Sequence, residues 1–489
     1  MKKFAKLLGY DPVKKQTNVR TEIIAGIVTF LAMSYILTVN PNQIFGSTAS
    51  PYWSSAFIAT ALGAIIGTLP MAFLAKMPLA QASGMGLNSM AGGLIGGWAG
   101  YAAKFTPGQA FFLVLVSGIL FLLLSLIKIK GKTFRELAFD GMPVPVRSAI
   151  SVGIGLFIAY IGFQNAGIIV ANPFTQVDLV NFTSWEASKA ALVALIGLFL
   201  IAILDKLMVK GAVIIGILGA TLIGIPFGVT DLDIIKGNAP GISWKFWENF
   251  ENFFTGESTV FGSFTGVFKE GIIPDGISVF TIVMIVITMC MIDMFDTMGT
   301  IVGCCGGNRV LSDENNKPHN YSKIMLSDAV ATCAGAMIGT STVTTFVESG
   351  SGVSAGGRTG LTALSTACMF FISMFALPLF AVVPSAAAAS ALIYVGVLMM
   401  KNNAKSIDFS NAINATAAFL TVSVMVLSYS ITKGIGVGLV SYTVMSIISY
   451  VIELIKSAVK KTEKPKREFS AVAIVVTLLF IVYFFVPAK

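Results

Sequence analysis

Three carboxylates stand in apolar surroundings where a charge is costly, so each needs a chemical reason. Asp293 and Asp296 lie three residues apart in Met291-Ile-Asp-Met-Phe-Asp-Thr-Met-Gly-Thr300, and Glu348 lies in Ser341-Thr-Val-Thr-Thr-Phe-Val-Glu-Ser-Gly-Ser-Gly352. On a helix Asp293 and Asp296 sit about 60° apart, and Thr300 falls one turn beyond Asp296 on the same face. A carboxylate so placed can accept N–H groups from a ligand, or bind and release a proton in a cycle. For Asp293 a hydrogen bond to a neighbouring helix end is the favoured reading; for Asp296 and Glu348 it is a role in binding. Glycines beside Glu348 let backbone approach a ligand closely. Asn88, after Gly84-Met-Gly, is the matching polar residue of the first half, placed either to orient Glu348 or a ligand or to tie two helices.

Other polar residues read as structural. Gln164 and Asn165 close an apolar run and suit a cap or turn. Asp328 and Arg358 fall near expected cytoplasmic ends and suit an ion pair or a loop anchor. Gly350, Gly352, Gly356 and Gly357 are equally able to pack helices. The five cysteines, Cys290, Cys304, Cys305, Cys333 and Cys368, lack metal spacing and read as buried small residues. The single histidine, His319, reads as a loop residue. There is no phosphate-binding Gly-Lys motif, metal cluster or nucleophile with a base at hand, so no metal or cofactor is expected, and any transport must run on an ion gradient or the substrate's own.

The elements that must position these groups are membrane spans. Of 489 residues, 55% are apolar and 12% charged, about half the charge of a soluble domain, and the mean hydropathy is +0.83. Long apolar runs separated by charged clusters indicate an all-α polytopic membrane protein, not a barrel with period-two segments. Spans are expected at 21–40, 54–75, 79–97, 109–127, 148–169, 188–204 and 211–226, and again at 277–303, 324–340, 341–360, 362–383, 385–400, 411–431 and 434–455. The run from Ser470 to Val486 either crosses or lies against the bundle. The basic, polar start of the chain lacks a signal-peptide pattern, so the first span serves as its own insertion signal.

Charge tests the count. The N-terminus, Lys128 to Arg135, Lys206 and Lys210, Arg309 to Lys323, Lys401 and Lys405, and Lys456 to Arg467 all fall on one side, expected to be cytoplasmic. Opposite lie 170–187, without Lys or Arg, and 227–275, with seven acids against three lysines. Trp53, Trp98, Trp185, Trp244 and Trp247 fall on that outer side and read as interfacial anchors. The net charge of +9 needs no nucleic acid to explain it.

Seven spans per unit force the second unit to insert inverted relative to the first. The chain therefore divides into a cytoplasmic N-terminus (1–20), a first inverted repeat (21–226), an extracytoplasmic loop (227–275), a second repeat (276–456) and a basic linker with a final apolar segment (457–489). Each unit carries a glycine-rich, broken stretch at its third span: Pro78 to Asn88, and Ser341 to Gly352. Irregular backbone survives at membrane depth only where it is buried in protein or lines a cavity, so the two broken stretches mark the expected binding site.

At these residues the chain resembles a known family. Thr29-Phe-Leu-Ala-Met-Ser-Tyr-Ile-Leu-Thr-Val-Asn40, Gly84-Met-Gly-Leu-Asn88, Ser148 to Ala159, Phe295-Asp-Thr-Met-Gly-Thr300, Gly339 to Ser349 and Gly356-Gly-Arg-Thr-Gly-Leu-Thr362 look like the AzgA-type hypoxanthine/guanine/adenine permeases of the nucleobase–ascorbate (NCS2) transporter group. The likeness runs from about residue 10 to residue 450. It implies a 14-segment, 7+7 inverted-repeat fold with core and gate domains, short strand-helix segments 3 and 10 facing the substrate, and often a homodimer. It also implies a proton-coupled symporter importing purine bases at the cell membrane, with sodium the alternative coupling ion. The family's eighth-segment acid corresponds to Asp296, its tenth-segment acid to Glu348 and its third-segment Asn to Asn88, while Phe346 and Met85 fall against the base ring. Ser349, Gly350 and Thr300 complete the expected substrate set, with Asp296 and Glu348 carrying proton coupling. Departures from the pattern, Ala82-Ser-Gly84 where Ala-Pro-Gly is usual, Ser89-Met90 without aromatics, the absence of a proline in 425–429 and the string Cys304-Cys305-Gly306-Gly307, bear on which base is carried. The alternatives are the same fold with uracil, xanthine or a small anion as cargo, or a membrane-embedded metal-dependent enzyme built on Asp293 and Asp296.

Overall fold

A computed structural model describes residues 7–11, 15–97, 103–129, 132–133, 142–209, 211–236, 242–256, 259–305, 310–312, 318–460, 463, 467 and 469–485. All fourteen expected segments are present. Segments 1 to 7 are Val19–Phe45, Trp53–Ala75, Gln81–Gly96, Pro107–Leu126, Val144–Asn165, Trp185–Lys206 and Ala212–Gly224. Segments 8 to 14 are Val279–Cys305, Tyr321–Ile338, Val343–Ser354, Gly360–Ala381, Ser385–Asn403, Ala412–Leu427 and Ile431–Lys460. Among the described residues seven helices are long and apolar enough to cross a bilayer unaided, and the chain is a multi-pass membrane protein. Local signals set the ends: Thr106 and Gln109 form a reciprocal capping box with Pro107 at the first helical position, and Asn411 caps segment 13 at Ile413 and Asn414.

Segments 3 and 10 are half strand and half helix. Gln81–Ser83 pairs antiparallel with Val343–Thr345, with Gln81 opposite Thr345, Ala82 opposite Thr344 and Ser83 opposite Val343. Two further bonds extend the ladder, from Phe346 N to the Ala80 carbonyl at 3.0 Å and from Gly84 N to the Thr342 carbonyl at 2.9 Å. The extended backbone of each repeat is thus satisfied by the other, which is how non-helical chain survives at this depth. A Cβ on Gly84 would press on the Thr344 methyl at 2.7 Å, so the turn from strand to helix needs a bare backbone there.

Segments 1–4 and 8–11 pack into one body, the core, and segments 5–7 and 12–14 into another, the gate. Inside the gate, helices meet at glycine: a Cβ on Gly396 of segment 12 would meet the Gly155 carbonyl of segment 5 at 2.5 Å, and one on Gly438 of segment 14 would collide with Thr421 of segment 13. The final helix, Ala471–Phe485, lies on segment 14, with Thr477 Oγ1 and Thr443 Oγ1 at 2.8 Å.

The long loop between segments 7 and 8 is not simply polar. It folds into two amphipathic helices, Phe246–Thr255 and Val260–Glu270, the first stacking Phe246 on Phe375 at 4.1 Å. Trp185, Trp244 and Trp247 are exposed, as interfacial anchors should be. Trp53 is not: it is fully buried and its Nε1 donates to Asn42 Oδ1 at 2.7 Å, so it anchors the core and not the interface. Trp98 lies outside the described residues. His319 is exposed. Cys290, Cys304 and Cys305 are buried, Cys333 is half-buried, and Cys368, against expectation, is exposed on segment 11.

Candidate functional site

The strand crossing forms the floor of a cavity of about 270 Å³ between core and gate. Its core wall is made by Met85 and Gly86 at the start of the segment 3 helix, by Asp296, Thr300 and Cys304 on segment 8, and by Thr345 to Glu348 and Gly350 on segment 10. The gate wall is Ser151 and Ile158 of segment 5 with Val395, Met399 and Asn403 of segment 12. Asp296, Thr300 and Cys304 recur every four residues, so they fall along one helical face. Glu348 has 8% of its surface exposed and takes a hydrogen bond from the Tyr35 hydroxyl at 2.5 Å. That holds one carboxylate oxygen against segment 1. The segment 3 helix presents its N-terminal end here, and the partial positive charge of those amides partly offsets the two carboxylates.

Behind this wall further polar side chains are buried among apolar ones. Asp328, expected at a cytoplasmic end, is instead completely buried at the strand crossing. It accepts from Gln81 Nε2 at 3.0 Å and from Thr297 Oγ1 at 2.8 and 2.9 Å. Thr297 has one proton to give, so the 2.5 Å contact with Thr344 is supplied by the Thr344 hydroxyl when Thr297 donates to Asp328. Asp293 is equally buried and accepts from Thr332 Oγ1 at 3.0 Å, a bond to a side chain within the neighbouring helix and not to a helix end.

Six of the eight expected residues, Glu348, Asp296, Phe346, Met85, Gly350 and Thr300, therefore face one cavity. Asn88 and Ser349 do not line it. Asn88 sits behind the wall, its Oδ1 accepting from Ser341 Oγ and its Nδ2 buried without a partner among the described residues. Ser349 Oγ accepts from Ala80 N at 3.0 Å, tying segment 10 to the approach to segment 3. Arg358 is a loop anchor: its guanidinium donates to the Val353 and Gly357 carbonyls and its backbone N to Glu22. Gln164 closes the turn at the end of segment 5, its carbonyl accepting from Gly167 N at 2.9 Å, and its side chain accepts from the Tyr429 hydroxyl at 2.7 Å.

Sequence reasoning missed Tyr35, Cys304 and the whole gate wall. Tyr35 carried a signal, a phenolic hydroxyl within a membrane span that must find a buried partner. Ser151, Ile158, Val395 and Met399 carried none, since apolar or small residues in a span look alike whichever way they face.

Comparison with known proteins places this geometry. A family model described as a permease family matches residues 20–437. The adenine permease AdeP of Escherichia coli is 35% identical over 467 residues, 95% of this chain and 92% of that one. The guanine/hypoxanthine permease PbuO of Bacillus subtilis is 35% identical over 478 residues, 97% of this chain and 99% of that one. Among solved structures, the transmembrane domain of the cyanobacterial bicarbonate transporter BicA superposes with a TM-score of 0.57 at 15% identity, covering 86% of this chain and 96% of that one. SLC26A9 gives 0.59 at 12% identity, covering 93% and 70%. At such identities the likeness is one of fold alone.

Proposed function

Because the chain belongs to the permease family, and is a transporter and not an enzyme, we propose that it imports the purine nucleobases hypoxanthine, guanine or adenine with protons by alternating access. The observation that carries the reading is the pairing of Glu348 and Asp296 with Phe346 and Met85 on one wall of a small cavity. A purine base is flat, apolar on its faces and rich in N–H donors on its edge. Glu348 accepts those donors, Phe346 and Met85 cover a face, and Thr345 to Gly350 bring backbone amides and carbonyls to the rim. About 270 Å³ is near the lower end of ligand pockets, roughly 300–1,000 Å³, and suits a free base better than a nucleoside. AdeP and PbuO, similar over nearly their whole lengths, are named for purine bases, which supports the same class here.

The rest of the cycle follows from the walls. The base is held by the core and covered by the gate, so movement of one body against the other changes which side the cavity faces. Asp296, one helical face with Thr300 and across the cavity floor from Glu348, takes a proton as base binds and returns it after release, with neutralisation lowering the cost of carrying charge through the membrane. On this reading the basic loops and the N-terminus face the cytoplasm. A small anion as cargo is disfavoured by the same two carboxylates, which repel it.

The test is uptake of labelled adenine, guanine, hypoxanthine, xanthine and uracil into proteoliposomes, with and without an inward proton gradient, beside Glu348→Gln. Gradient-stimulated purine uptake lost in the variant is the expected result. Saturable uptake of xanthine or uracil alone, or uptake indifferent to the variant, contradicts it.

A further inference from the structure

A second cavity, of about 400 Å³, lies outside the transport path between segment 4, segment 8 and the final helix. Its walls include Leu120 and Leu124, Ile287 and Met294, and Val472 and Val476, and no lining side chain offers oxygen or nitrogen. Such a space cannot orient a base or any polar solute, and water gains no partners there. Protein interiors do not keep large voids, so the natural filling is hydrocarbon. The position along the helices is equally specific. Ala471 and Val472 open the final helix, Leu120 and Leu124 belong to the last turns of segment 4, and both ends lie toward the basic face of the protein. Lys456 and Lys460, at the exposed end of segment 14, precede the helix that lines the slot. Arg467, four residues before Ala471, is set in place over the Phe469 ring at 4.5 Å, and that ring packs edge-on against Tyr450 of segment 14. Four residues of extended chain span at most about 14 Å, less than the length of a phospholipid from phosphate to mid-chain.

We infer that this slot is a binding site for one anionic phospholipid, with an acyl chain between the final helix and segments 4 and 8 and the phosphate beside Lys456, Lys460 and Arg467. The final helix rests on gate segment 14, while segments 4 and 8 belong to the core. The bound chain therefore lies across the boundary between the two bodies.

The test uses the full chain in phosphatidylcholine nanodiscs carrying a trace of phosphatidylglycerol with a diazirine on its acyl chain, read by peptide mass spectrometry without any transport assay. Adducts should concentrate on the peptides bearing Ile287 to Met294 and Val472 to Val476, and exceed those from the matching phosphatidylcholine probe by about fivefold for each basic residue engaged. Val472→Trp, which fills the slot, should abolish them, and Lys456→Gln with Lys460→Gln and Arg467→Gln should remove the headgroup preference while leaving the slot open. Label spread evenly over lipid-exposed helices would mean annular lipid only and would overturn the site. Equal labelling by both headgroups in the wild type, a comparison that needs no variant to fold, would overturn the anionic assignment, and displacement by free oleate alone would reassign the slot to a fatty acid.

Discussion

Core and gate bury their polar groups in opposite ways. In the core, buried side chains bond across segments: Asn40 donates to Thr60 at 2.7 Å and to Thr340 at 3.0 Å, Gln43 to Ser89 at 3.0 Å, Gln81 to Asp328, Thr332 to Asp293 and Tyr35 to Glu348. In the gate several buried hydroxyls close on their own helix, Thr421 on Ala417, Ser390 on Ala387 and Thr221 on Ile217, and among its described residues no carboxylate is fully buried. Cross-linked polar groups fix one arrangement, because sliding any segment leaves several donors unpaired in a medium with no water to replace them. Self-satisfied hydroxyls and bare glycines leave a helix surface without such locks. The core is thus a rigid holder of the ligand's contacts, and the gate a smooth cover.

The contrast can be broken or sharpened by substitution, starting where the effect is greatest. Glu348→Gln removes the charged acceptor of the cavity and should cost about 2–3 kcal/mol of base binding, a 30- to 150-fold rise in the half-saturating concentration of uptake. Unchanged binding would place the ligand elsewhere. Thr297→Val leaves Asp328 short of a donor behind the wall and should cost about 1–3 kcal/mol of stability, read as a lowered thermal midpoint in detergent. Gly396→Leu tests the gate's equivalent: a side chain driven into the Gly155 carbonyl should also cost about 1–3 kcal/mol, through overpacking and not through an unpaired group. A gate that absorbed leucine without loss would refute packing by close approach. Tyr35→Phe frees one oxygen of Glu348 and should weaken base binding by about 1–1.5 kcal/mol, roughly tenfold, with stability nearly unchanged. Val395→Ala, on the gate wall, should move affinity by less than about 1 kcal/mol, seen as a slight gain for bulkier bases in competition assays.

The two bodies also differed in how much the sequence disclosed. Spans and the paired broken stretches were legible because twenty-residue apolar runs and backbone breakers are local properties. Asp296 and Glu348 stood out because an acid in an apolar run is expensive wherever it points. Asp328 was misplaced as an end-of-helix group because its compensation comes from Gln81 and Thr297, far away in sequence, and only the strand crossing brings them together. Trp53 was misread for the same reason, its partner Asn42 sitting on another segment. The gate wall was invisible because Val395, Met399 and Ile158 differ from lipid-facing neighbours only in direction.

The most direct test of a carboxylate-lined cavity that carries base and proton together is the proton itself. Proteoliposomes holding a trapped pH dye, at equal pH on both sides, should acidify inside when hypoxanthine is added outside, and those holding Asp296→Asn or Glu348→Gln should not. Base entry without acidification in the wild-type protein would contradict proton coupling, and acidification that survives in both variants would remove these carboxylates from the proton's path.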